Sequence, residues 1–133
     1  MAPKVLIVLT SCHFIPNDRP TGWFLPEFAH PWDVLKDKTE LTIASPKGGE
    51  APLEPASVEM FKSDPSSMSF LQNQKALWSN TKKLSEMDEA DFDAIFYVGG
   101  HGREWAVFYF VFPHADFVQQ PCLISTMIQR LLP

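Results

Sequence analysis

Few residues in this chain of 133 have chemistry to offer, and they lie far apart along it. They are Cys12 and Cys122, the histidines His13, His30, His101 and His114, and the loop Gly99-Gly100-His101-Gly102. Glycines in such a loop permit positive φ and let backbone approach a ligand closely. Bare N–H groups there can hold a developing negative charge. The same four residues also fit a tight strand exit with no ligand, and the tetrapeptide alone leaves both readings open. Cys12 reads either as a thiol nucleophile or as an inert, partly buried small hydrophobe. Cys122, within Gln120-Pro121-Cys122-Leu123, has no visible base partner and no glycine for a strained turn. The cysteines and histidines do not fall at metal-ligand spacing, so neither a metal nor a cofactor is expected.

These residues need a scaffold, and the apolar runs supply one. Asp93 to Val98, directly before the glycine-rich loop, is apolar except for Asp93. That pattern predicts a strand buried on both faces of a parallel sheet. In open α/β sheets, ligands bind beyond the carboxyl ends of the strands, where this loop would sit. Lys4 to Thr10 (KVLIVLT) predicts a second such strand, which places Cys12 at the same edge. Glu40 to Ser45 predicts a third, stopped by Pro46 and turned by Gly48-Gly49.

Between the strands, Ser11 to Thr21 reads as an irregular loop because of Pro16, Asn17, Asp18 and Pro20. Thr21 is expected to cap a helix over Gly22 to Ala29, with Glu27 near its beginning and Pro31 ending it or opening a second piece to Lys38. His30 then falls at a helix terminus. Four prolines in residues 46 to 66 predict little regular structure there. Ser67 is expected to cap a helix reaching Trp78. Leu84 and Met87 are the expected anchors of the acidic stretch Asn80 to Asp91, and Trp23, Phe24, Phe28 and Trp32 read as core or interface aromatics.

The bulk properties fit one globular domain: 45% hydrophobic residues, 20% charged, and a net charge of −5. An acidic chain without a basic patch argues against nucleic acid and against an anionic membrane surface. Val5 to Leu9 is too short an apolar run for a leader or a span. Two cysteines make no disulfide framework, so a cytoplasmic location, with or without a nuclear pool, is expected.

Four segments in order resemble the ThiJ/PfpI superfamily: MAPKVLIVLTS, TGWFLPEFAHPWDVL, LTIASPKGGEAPLEP and FDAIFYVGGHG. Within it they are most similar to the fungal heat-shock-type glutathione-independent glyoxalases (glyoxalase III, or D-lactate dehydratase). The resemblance implies a flavodoxin-like three-layer α/β sandwich of the class I glutamine amidotransferase type, commonly dimeric. It also implies conversion of methylglyoxal, a small dicarbonyl, to D-lactate without glutathione or metal, by a cysteine nucleophile. Stress-chaperone and deglycase roles are described for the family too. Carried over, the family's acid/base carboxyl is Glu27. Its oxyanion and pocket loop is Gly99, Gly100, His101 and Gly102.

The likeness covers residues 1 to 102, read as one α/β domain that is incomplete at its C-terminal side. Residues 103 to 133 do not match and hold the run Trp105 to Phe112 (WAVFYFVF). The family's Ala-x-Cys-His-Gly elbow has no counterpart in that tail, which reads as truncated or foreign. Cys12 is the substitute nucleophile. The sequence therefore implies a glyoxalase relative with impaired catalysis. The alternatives are a non-catalytic chaperone or interaction protein and an unstable fragment.

Overall fold

The computed structural model describes residues 1–15 and 19–99. The strand β1 (Lys4–Val8) lies at the centre of a parallel sheet, between β4 (Glu40–Ser45) and β6 (Ala94–Tyr97), and β5 (Lys82–Lys83) extends the far side of β4. The order β5-β4-β1-β6 is that of a flavodoxin-like α/β fold, in which the chain first builds to one side of β1 and then crosses to the other. Registers are regular: Val8 opposes Ala44 on one side and Tyr97 on the other.

Alternation along β1 splits the core into two layers. Val5, Ile7 and Leu9 point to one face, where Trp23, Phe28, Phe70 and Trp78 meet them, and Leu6 and Val8 point to the other, with Ala44 and Leu84. Trp23 is fully buried and makes edge-to-face contacts with Phe28 at 5.4 Å, Trp78 at 5.7 Å and Phe70 at 6.3 Å. Gly22 makes this arrangement possible. A Cβ on it would overlap the Pro52 carbonyl, to which the next residue, Trp23, donates its backbone N–H at 2.8 Å.

The helices differ from the sequence reading at several ends. Helix α1 (Leu25–Leu35) begins after Phe24, not Thr21, and runs through Pro31 without a break. Pro31 deprives only the Glu27 carbonyl of its donor, while Phe28 and Ala29, both fully buried, pin the helix to the core. His30 is consequently mid-helix, not terminal. Residues 46 to 66 contain a short helix, α2 (Pro55–Met60), because Pro55 occupies a first-turn position where a proline is tolerated.

Helix α3 (Pro65–Asn73) is capped by Asp64, whose carboxylate accepts from the Ser67 backbone N–H, so Ser67 is inside the helix and donates to the cap. A separate turn of helix, α4 (Lys75–Ser79), carries the buried Trp78. The expected loop after β1 includes a two-stranded ribbon, β2 (Phe14–Ile15) with β3 (Arg19–Pro20). Strand β6 is half-buried along its length rather than enclosed, since only β1 pairs with it among the described residues.

Candidate functional site

The carboxyl ends of β1 and β6 lie side by side, and the chain order reverses there. Val98 donates its N–H to Val8 O at 3.0 Å, which carries the pairing one step past β6 and delivers Gly99 to the rim of the sheet. The amino end of α1 packs onto the same spot. Phe24, the residue before the first turn, donates its N–H to Gly99 O at 2.8 Å. No side chain caps this helix end; instead Leu25 N–H donates to Ser57 Oγ at 3.1 Å, and that hydroxyl passes its own proton to Glu54 O. Backbone and a buried serine thus fix α1 against the sheet edge.

Glu27 stands in the first turn of α1, and its carboxyl group lies on the Cα of Gly99. A Cβ built on Gly99 would overlap Glu27 Oε2 and lie 2.8 Å from Oε1. Glu27 is solvent-exposed, and its own N–H donates to Phe24 O at 3.1 Å. A carboxyl group at this rim is chemically suited to acid/base work. The fold therefore joins two residues that stand 72 positions apart in the chain (99 − 27), both singled out from sequence.

Cys12 occupies the same edge, four residues past the end of β1. It is half-buried, donates its backbone N–H to Thr10 Oγ1 at 3.0 Å, and its thiol donates to Phe14 O at 3.1 Å rather than to Glu27. His13 is exposed beside the Phe14 ring. His30 pairs instead with the cap of α3, its Nε2 lying 2.6 Å from Asp64 Oδ2. Gly100, His101, Gly102, Cys122 and His114 lie outside the described residues, as does the boundary at residue 103. Among the described residues no group of three or more His, Cys, Asp or Glu side chains is placed to hold a metal ion. No helix among them is long and apolar enough to cross a membrane.

Sequence reasoning did not find Phe24, Ser57 or Lys47 as parts of this edge. Lys47 donates its backbone N–H to Ser11 Oγ at 3.0 Å, tying the Gly48-Gly49 turn to the end of β1. Backbone donors leave no mark in residue type. Ser57 was hidden inside a proline-rich stretch.

No known family profile and no curated protein matches the chain. Solved structures do. It is similar to the Rapid Encystment Protein 24 kDa of Francisella tularensis, at 31% identity and a TM-score of 0.70, over 96% of this chain and 53% of that one. It is similar also to glyoxalase III from Candida albicans, at 30% identity and a TM-score of 0.64, over 76% of this chain and 45% of that one. The chain spans about half the length of these structures. The likenesses support the superfamily named from the sequence motifs, without singling out its fungal heat-shock-type branch.

Proposed function

We propose that the chain carries the acid/base half of a glutathione-independent glyoxalase site of the ThiJ/PfpI kind. The observation that supports this most directly is the Glu27 carboxyl group seated on Gly99 at the sheet's carboxyl edge. The likeness to glyoxalase III from Candida albicans adds to it.

The chemistry follows from the dicarbonyl. A thiolate adds to the aldehyde carbon of methylglyoxal and gives a hemithioacetal. Glu27 removes the proton from that carbon, giving an enediol, and returns a proton to the neighbouring carbon. The resulting thioester takes up water, releasing D-lactate and the thiol. Atoms and protons balance without an oxidant. Backbone N–H groups of the Gly99–Gly102 loop are the proposed partners of the developing oxyanion. Among the described residues the thiol at this edge is Cys12, whose proton is engaged by Phe14 O. With Cys12 in the nucleophile's role, turnover is expected to be slow. A small dicarbonyl is the proposed partner, with a second copy of the chain as the proposed assembly and the cytoplasm as the proposed location.

The test is D-lactate formation from methylglyoxal without glutathione. Slow formation that is lost in Glu27→Gln and in Cys12→Ala supports the reading, and formation unchanged by both substitutions overturns it. A second reading, a non-catalytic interaction or chaperone-like protein, is favoured by exposed Phe14, Val34 and Met60. Suppression of client aggregation with no D-lactate formed supports that second reading.

A further inference from the structure

The start of α1 offers two consecutive N–H groups, and each is held by a different part of the fold. Phe24 donates to Gly99 O at 2.8 Å, towards the sheet, and Leu25 donates to Ser57 Oγ at 3.1 Å, towards α2. A helix start ordinarily finds such an acceptor in the side chain of its own cap residue. Phe24 has none to give, so the acceptor comes from 32 residues downstream. Ser57 is wholly buried, and its hydroxyl is used both ways, since it also donates to Glu54 O at 2.7 Å. The stretch that carries it is stitched to the chain just ahead of α1. Trp23 N–H donates to Pro52 O at 2.8 Å, and Glu54 N–H donates to Trp23 O at 3.0 Å. Among these anchors Ser57 alone acts through its side chain.

Glu27 stands two residues after Leu25, in the first turn of α1, and its carboxyl group lies on the bare Cα of Gly99. A single hydrogen bond to Gly99 leaves a helix start free to swivel about it, and a second one to another element removes that freedom. We propose that Ser57 is a positioning residue for Glu27: its bond to Leu25 N–H fixes the turn that seats the carboxyl group on Gly99. Acid/base groups work only when their supports hold them in place. The catalytic consequence rests on Glu27 moving the proton, as proposed above, whereas the placement itself does not.

The experiment reads placement apart from turnover. Glu27→Gln replaces the carboxyl group by a neutral group of the same shape, so the change it causes in the Gly99 Cα and Hα NMR shifts reports how closely the charge sits on Gly99. That change is measured in the full chain and again in the Ser57→Ala background, as a double-mutant cycle. It should be large in the unsubstituted background and lose most of its size in Ser57→Ala. Ser67→Ala removes an equally buried hydroxyl, the one bonded to Asp64 at the cap of α3. It should lower the melting temperature while leaving the Gly99 response whole. Where Ser57→Ala does not fold, Ser57→Cys takes its place, because a thiol accepts only weakly, and the response should again shrink. A response undiminished in the Ser57 variant, or diminished as much by Ser67→Ala, overturns the proposal. No response in the unsubstituted background overturns it together with the seating of Glu27 on Gly99. A response that depends on Ser57, with Glu27→Gln still making D-lactate, upholds the part of Ser57 and overturns that of Glu27 in the reaction.

Discussion

Glu27 and Gly99 fit together only because Gly99 has no side chain: the carboxyl group of one fills the space a Cβ of the other would need. The Phe24 N–H on Gly99 O holds the two elements at that separation. A glycine that sequence alone leaves open between oxyanion loop and bare strand exit has a third task here, which is to leave room for an acid.

Gly99→Ala should therefore displace the Glu27 carboxyl group, and because that group is the far end of an exposed, flexible side chain the cost should be small, about 1 kcal/mol or less. The melting temperature should fall by a few degrees at most. Combining it with Glu27→Asp, which withdraws the carboxyl group by one methylene, should restore part of the loss. Additive losses in the double variant would show that the two residues do not compete for the same space.

Gly22→Ala tests the other close approach. Its Cβ would meet the Pro52 carbonyl and the Leu53 backbone, neither of which can swing aside as a side chain can. The Trp23–Pro52 and Glu54–Trp23 backbone bonds depend on this contact. We expect a larger loss than at Gly99, about 3 kcal/mol or more, with blue-edge tryptophan fluorescence shifting towards that of exposed indole. A near-normal melt would contradict the packing described around Trp23.

Ser57→Ala removes the only side-chain partner of the first N–H of α1. A loss of about 1–2 kcal/mol is expected, typical of a missing cap. Amide exchange at Leu25 should speed up more than at the core strand β1.

Much of this was legible beforehand, and the failures share a cause. The β1 run was readable because a strand enclosed by others is apolar over nearly its whole length, and Glu40 to Ser45, marked by its stop at Pro46, matched residue for residue. Glu27 and Gly99 were singled out through the family motifs, and the fold places the two together. The end of α1 was not, since its caps are a backbone carbonyl and a serine 32 residues downstream. Pro31 misled because local propensity gives way when the flanking residues are buried as deeply as Phe28 and Ala29. Asp64 was overlooked as a cap for the same reason that Ser67 was preferred: both suit the position, and only the fold decides between them.

Asp64 supplies a pH test. Hydrogen bonds from Ser67, first, and then from His30 hold its carboxyl below the ordinary value of 3.8. The group is charged in the folded chain at a pH where the unfolded chain binds a proton. Its contribution is therefore present above that ordinary value and is lost as pH falls through the lower folded value. The melting temperature of the unsubstituted chain should decline below about pH 4, and that decline should flatten in Asp64→Asn. Equal slopes would show that the cap contributes nothing to acid stability.

The most direct measurement is D-lactate formation from methylglyoxal, without glutathione, by the unsubstituted chain and by Glu27→Gln under identical conditions. We expect slow formation by the former and none by the latter, with both proteins melting alike. Equal rates in the two would contradict the assignment of Glu27 as the group that moves the proton.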